Sequence, residues 1–273
     1  MKISEILKDS LIYPLLEWKK ILVLGIMILV SGLSQILGMS NIDLIVVLVG
    51  LGFLSGFLVN GYLYRILKST LDGNEKLPKF NNWIEMFRDG IKVFIIFIGY
   101  LILPTLAILF IILYIIGFDF TFFESVFISM LGSMGINPLE FLVSEILPGI
   151  EILLAISFNL FTQMVIVTLI SIILLLPIFL VALANMAYEG EFIDAFRIRE
   201  IIEEIRYIKW INLIKWYIMT GIIFFILFCI GTALTYVFGV LNLSIVGLFL
   251  SLILASYSYI YYARSLGLFY LPD

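Results

Sequence analysis

Leu67–Lys92 reads LKSTLDGNEKLPKFNNWIEMFRDGIK. Apolar runs flank it on both sides, Leu44–Tyr64 before and Val93–Phe118 after, and neither contains a charged residue. An uncharged stretch of about 20 residues is long enough to cross the hydrocarbon of a bilayer as a helix. The polar passage therefore reads as the wet connection between two membrane spans. Its punctuation is specific. Asp72-Gly73 is a helix stop and turn signal, and Leu77-Pro78 keeps the chain extended. Asn82 can cap a new helix, with Glu85 three residues later completing a capping box.

The rest of the chain has the same character. Of its 273 residues, 63% are hydrophobic and 13% charged, about half the charge of an ordinary soluble domain. Mean hydropathy is +1.19. Five spans stand out: Ile21–Met39, Leu44–Tyr64, Val93–Phe118, Leu213–Phe238 and Leu243–Ala263. A sixth lies within Ile152–Tyr188, a run long enough for one span or two.

Charge placement decides between them. The 16 Lys and Arg residues fall into four groups: Lys2–Lys20, Arg65–Lys92, Arg197–Lys215 and Arg264. The connections Ser40–Asp43, Asp119–Ile150 and Gly239–Asn242 contain none. Cytoplasmic loops collect Lys and Arg. A single span, placed at Ile166–Tyr188, puts every basic residue on one side, with Glu151–Val165 as its outer approach. The expectation is an all-α integral membrane protein with six transmembrane helices, located in the cell (cytoplasmic) membrane with both termini in the cytoplasm. The acids Glu5, Asp9 and Glu17 ahead of the first span favour a retained helix over a cleaved signal peptide.

The spans group into three hairpins, each preceded by a cytoplasmic amphipathic interfacial helix. The surface stretches are Ile3–Trp18, with Ile3, Ile6, Leu7, Leu11 and Leu15 near one face and Pro14 bending or ending it; Asn81–Lys92, with a stripe of Trp83, Ile84, Phe87 and Ile91; and Phe192–Trp210, with Phe192, Phe196, Ile201, Ile205 and Ile208. The chain is then one membrane domain, 1–273, in three units: 1–64, 65–188 with an outer apolar insertion at 119–150, and 189–273. Trp18, Trp83, Trp210 and Trp216 all fall in or beside basic segments and read as an inner aromatic belt. Gly52, Gly56 and Asn60 in the second span, and Ser244, Gly247, Ser251, Ala255 and Ser258 in the sixth, form narrow faces suited to close helix packing, expected to turn to the bundle centre. Pro104 and Pro177 are expected to kink the third and fourth spans.

The polar passage carries a resemblance. Gly61, Tyr62 and Arg65, the turn Asp72-Gly73, then Leu77, Pro78, Phe80 and Trp83, and finally Asp89, Gly90 and Lys92 resemble the pattern of domain of unknown function 4013, a family of prokaryotic membrane proteins common in archaea. Ala187–Phe196, AYEGEFIDAF, resembles a later feature of the same family. The resemblance implies membership and brings no activity with it; the bland reading of the motif residues is structural.

Chemistry is sparse. The chain has no histidine and one cysteine, Cys229, so the commonest metal ligand and general base is missing. No phosphate-binding loop, nucleophile elbow or dinucleotide fingerprint is present, and no cofactor is expected. The spans contain essentially no ionisable residue; Arg65, Glu189 and Arg264 sit at inner ends, where snorkelling accounts for them. Asn60, Asn159, Gln163 and Asn185 are the candidates for a polar path, against the blander reading of interhelical hydrogen bonds. Glu124, Glu140 and Glu145 in the insertion, expected to form a re-entrant or interfacial hairpin broken at Gly135–Pro138, are solvated acids or a site for a cation or a basic partner. The expected partner is the lipid bilayer, with a second membrane protein or a further copy of the chain as candidates and no nucleic acid. The leading expectation is a non-enzymatic scaffold or membrane-organising component; the alternative is a transporter or channel for a neutral or lipid-like solute. An enzyme would require convergence among Asp72, Glu75, Glu85, Asp89, Glu189 and Asp194.

Overall fold

The computed structural model describes residues 2–33, 42–115 and 147–271. All regular structure among the described residues is helical. In chain order the helices are α1 (Ile3–Ile12), α2 (Trp18–Ser31), α3 (Ile42–Leu71), α4 (Trp83–Phe97), α5 (Leu103–Ile115), α6 (Leu147–Glu189), α7 (Ile198–Ile208), α8 (Trp210–Val240) and α9 (Ser244–Tyr270). Short 3-10 turns occupy Tyr13–Glu17 and Phe192–Phe196, and a π turn occupies Ile98–Ile102. Among the described residues, five stretches are long and apolar enough to cross a membrane: Val46–Leu71, Trp83–Ile111, Met164–Glu189, Trp210–Val240 and Ser244–Tyr270. These helices are compatible with a multi-pass membrane protein. Their side chains face outward to match; only 11% of the most apolar window of Trp210–Val240 is buried. Exposed apolar surface on that scale suits a lipid solvent.

Two prolines lie at breaks in regular α-helix and one lies inside a continuous helix. Pro14 opens the 3-10 turn that ends α1. Pro104 has no N–H to give the carbonyl four residues back, and the π turn Ile98–Ile102 lies just ahead of it. Pro177 sits inside α6. That helix is continuous, so Ile152–Tyr188 contains no reversal, and Glu151–Val165 is part of the same helix as Ile166–Tyr188. The first expected span is helical as far as Ser31; its end lies outside the described residues, as does the outer segment from 116 to 146.

The chain divides into two compact units, Gly99–Leu176 and the remainder. Gly99–Leu176 contains α5 and the first part of α6, with Leu101, Thr105 and Ser171 buried. The larger unit holds a hydrophobic core built from Tyr13, Leu24, Tyr62, Ile66, Met86 and Ile260 with their neighbours.

Within the larger unit, α2 runs antiparallel to α3 and α8 antiparallel to α9, whereas α3 and α9 run parallel, with Gly267 against Thr70 near their C-terminal ends. Gly52 meets Ser31 on α2, and Ser55 Oγ donates to the Met27 carbonyl at 2.6 Å. On α8 and α9, Gly247 lies against Phe238 and Thr235, and Trp216 meets Ser265 at the opposite ends of the same two helices. The small faces thus serve immediate neighbours, because narrow residues are used where two backbones come closest. Gly56 has nothing within 4 Å of where a Cβ would stand.

The closest approach joins α3 and α4. A Cβ on Gly61 would lie 1.8 Å from the Met86 carbonyl oxygen, and one on Gly90 would lie 1.8 Å from that of Phe57. The reciprocal glycines turn Met86, Gly90, Val93 and Ile96 inward. The expected stripe of Trp83, Ile84, Phe87 and Ile91 is therefore not the buried face; Ile84 is 78% exposed. α4 also includes the start of the third expected span without interruption.

Gly61→Ala and Gly90→Ala should each force the two helices apart and cost about 1–3 kcal/mol, as overpacking does. Thermal unfolding in detergent checks this: both variants should melt well below the parent, whereas Gly56→Ala should melt at or above it.

Candidate functional site

The segment from Asp72 to Asn82 is irregular and lies against helices, so its backbone polar groups need partners. Its entry closes cleanly. Gly73 N–H donates to the Thr70 carbonyl at 3.0 Å and Asn74 N–H to that of Ser69 at 2.9 Å, the paired bonds of a Schellman stop. Gly73 has φ +76°, which a residue without a Cβ adopts freely.

Beyond that stop, side chains from four other segments take the loop carbonyls in order. Arg264 Nη1, on α9, donates to Asn74 at 2.8 Å. Tyr13 Oη donates to Lys76 at 3.0 Å. Lys20 Nζ, on α2, donates to Leu77. Tyr62 Oη, on α3, donates to Pro78 at 3.1 Å. Arg65, also on α3, reaches Asn81 through Nη1 and Asn82 through Nη2, the latter at 3.0 Å. Apolar contacts seat the loop between these bonds. Leu77 is buried, the Phe80 ring stacks on Tyr62 at 3.9 Å, and Trp83 stacks on Phe80 at 6.1 Å.

Arg264 is the hub. It is 6% exposed. Its Nε donates to Asp9 Oδ1 at 2.9 Å, its Nη1 also reaches Thr70 Oγ1 at 3.4 Å, and its guanidinium lies 4.5 Å from the Tyr13 ring centroid. One planar cation thus ties α1, the loop, α3 and α9, a task suited to a delocalised fork of donors. The snorkelling expected for Arg264 is not what occurs; the side chain turns inward to a carboxylate, a carbonyl and a ring. Burial pushes the Tyr13 hydroxyl up to about 12, against the opposing pull of Arg264, so it remains a donor at neutral pH.

A second polar knot binds the stretch after α6. Asn185 Nδ2 donates to the Asp194 carbonyl at 3.0 Å, and Tyr270 Oη donates to Asn185 Oδ1 at 2.9 Å. The buried Asp194 carboxylate accepts from Glu191 N–H at 3.2 Å and pairs with Arg197 at 3.2 Å. Nearby, Trp216 Nε1 donates to Ser265 Oγ at 2.8 Å and its ring stacks on Phe269 at 4.6 Å. Trp216 is fully buried; it is a packing residue, while Trp18, Trp83 and Trp210 are exposed.

The motif residues therefore converge: Gly61, Tyr62, Arg65, Gly73, Leu77, Pro78, Phe80, Trp83 and Gly90 all serve the loop or the helix crossing it leads into. Asp89 and Lys92 pair with each other at 3.4 Å. Asn82 precedes α4 as expected but with φ 49° and no side-chain bond to the helix backbone. Its amide meets Glu85 at 3.3 Å, and Arg65 meets the same carboxylate at 3.5 Å. The cation beside it draws Glu85 away from the capping-box position.

The polar-path candidates do not come together among the described residues. Asn60 donates to the Gly56 carbonyl of its own helix at 3.1 Å, and Asn185 belongs to the second knot. The side chains of Asn159 and Gln163 lie outside what is described, as do Glu124, Glu140 and Glu145. Glu85, Asp89 and Asp194 each sit beside a different cation. Among the described residues no group of three or more acid, cysteine or histidine side chains could hold a metal ion.

Tyr13, Lys20 and Arg264 were not legible as parts of one site; a lone arginine at the end of the aromatic run Tyr257–Tyr262 was the signal available. Arg264→Gln should cost about 1–3 kcal/mol, the range for leaving a hydrogen-bonding partner without its mate. Arg264→Lys should recover little, because an ammonium cannot serve Asp9 and Asn74 in the same fork. Melting temperatures in detergent for the two variants test the ranking.

No curated protein matches the chain, and no solved structure does. A family model described as Protein of unknown function (DUF4013) matches residues 44–236. That stretch covers the loop with its Tyr62 and Arg65 donors and the second knot as far as Trp216, and leaves Tyr13, Lys20 and Arg264 outside. With most of its length matched, the chain belongs to the DUF4013 family.

Proposed function

We propose that the chain is a six-span integral protein of the cytoplasmic membrane, one domain of three hairpins with both termini inside, and that it works as a non-catalytic scaffold that organises membrane components. The observation that carries this reading is the use to which its charged and polar side chains are put. Arg264, Arg65, Lys20 and Tyr13, the groups best placed to meet a substrate at the basic end of the helices, hold backbone carbonyls of the loop instead. The contacts Lys20–Leu77, Arg264–Asn74, Tyr270–Asn185 and Trp216–Ser265 join the helix ends that carry the four basic groups, which supports a common cytoplasmic side.

α7 supports an interfacial role for the surface helices. Ile201 and Ile205 are buried while Ile198 and Tyr207 remain exposed beside Arg199 and Glu203, a distribution suited to a helix lying at a lipid–water boundary. The transporter reading draws less support, since Asn60 and Asn185 are engaged with Gly56, Asp194 and Tyr270.

The test uses a Cys229→Ser background, which removes the single cysteine. In intact cells Arg199→Cys should resist a membrane-impermeant maleimide and react only after permeabilisation; reaction from outside would overturn the threading. A photo-crosslinking residue at Ile198 should then give a few discrete protein adducts in native membranes. Lipid adducts alone, together with solute flux in proteoliposomes, would favour transport over scaffolding.

A further inference from the structure

A cavity of 730 Å³ opens where α1, α7, α8 and the end of α9 meet. Its volume falls in the range of small-molecule sites. The polar part of its wall carries Lys2, Lys209, Asn212 and Glu204; the apolar part carries Ile6, Met219 and Phe269. The two parts are ordered along α8. Asn212 is two residues from the start of that helix, and Met219 follows seven residues later, roughly 10 Å further along at the α-helical rise. Met219 is 45% exposed on the flank of a candidate span, whereas Phe269 and Ile6 close the opposite side. The cavity is thus wet at one end and open sideways toward lipid at the other.

Its charge is unbalanced. Two lysines face one carboxylate, and among the described residues neither Lys2 nor Lys209 has a carboxylate within ion-pair distance. Lys209 is also the residue that caps the start of α8, so the first N–H groups of a long helix and the positive end of its dipole lie at the same rim. A ligand that satisfies this wall has an anionic head and an apolar tail, joined over the distance from Lys209 to Met219.

We infer that this cavity binds one anionic phospholipid of the inner leaflet, with the phosphate between Lys2, Lys209 and Asn212 and an acyl chain along Met219. The assignment to the inner leaflet rests on the topology proposed above; the amphiphilic ligand class rests on the cavity alone. Burial pushes the Glu204 carboxyl up, in the direction that lessens its repulsion of a phosphate. The basic residues Arg206 and Lys215 on the flanking helices add to the attraction for an anionic surface.

Native mass spectrometry of the full chain in detergent micelles, titrated with phosphatidylglycerol or phosphatidylcholine, tests this. One phosphatidylglycerol should remain bound at collision energies that strip phosphatidylcholine. Lys2→Gln with Lys209→Gln, both exposed positions, should weaken retention roughly thirtyfold, at about 1 kcal/mol of attraction to anionic lipid per lysine. Met219→Trp, which fills the tail end without touching the lysines, should weaken it as well. Glycerol phosphate, the head without the tail, should not compete at equal concentration. Equal retention of the two lipids, no effect of the double lysine variant, or full competition by glycerol phosphate would each overturn the inference. Binding in micelles needs no orientation and the maleimide reaction needs no lipid, so failure here is distinguishable from failure of the topology.

Discussion

An irregular segment lodged among helices is tolerable only where something answers its carbonyls. Between Asn74 and Asn82 that answer comes from Arg264, Tyr13, Lys20, Tyr62 and Arg65. Within the loop the Asn81 N–H meets the Lys79 carbonyl at 3.1 Å, and the carbonyls of Asn74, Lys76, Leu77, Pro78, Asn81 and Asn82 are held from outside by these donors. The relation is mutual: each donor is a long or aromatic side chain whose head group would otherwise need water. The clamp consequently joins pieces far apart in sequence. Asp9 and Arg264 are 255 residues apart and form one ion pair.

Helix packing follows from the same constraint. The loop returns the chain so that α4 lies back along α3, and the distance between them is set by Gly61 and Gly90, each against the other helix's backbone. In lipid there is little hydrophobic force to draw helices together, and close van der Waals contact with satisfied polar groups supplies the adhesion. The clamp fixes orientation and the glycines permit depth. The core residues Tyr62, Ile66, Leu77 and Met86 pack in one cluster beside them, while outward residues such as Phe53, Phe110 and Phe225 remain exposed.

Much of this was legible in the sequence. The stop at Asp72-Gly73, the new helix at Trp83 and the apolar helices follow from local rules of turn chemistry and uninterrupted hydrophobicity. What escaped was decided by geometry between distant segments. The stripe of Trp83, Ile84, Phe87 and Ile91 is the more hydrophobic face of α4, but in lipid hydrophobicity marks what faces outward as readily as what faces inward; Gly90 chose the buried face. Trp216 looked like its three exposed counterparts because the sequence around it is equally basic, and only its Ser265 and Phe269 partners distinguish it. Glu85 had the spacing for a capping box and lost that position to Arg65, which lies 20 residues away. Arg264 is polar at a helix end, and nothing local separates a snorkelling arginine from one that turns inward to Asp9.

The picture that emerges is of a multi-helix protein with membrane-compatible apolar helices, in which one buried cation locks the loop end of the larger unit. The most direct test is hydrogen exchange of the detergent-solubilised chain, comparing the parent with Arg264→Gln over two peptides: Ile3–Ile12, and the loop from Asp72 to Asn82. If Arg264 couples them, exchange should accelerate in both by a similar factor while Ile222–Val237 of α8 is unchanged. Acceleration in one peptide alone, or in neither, would contradict the account.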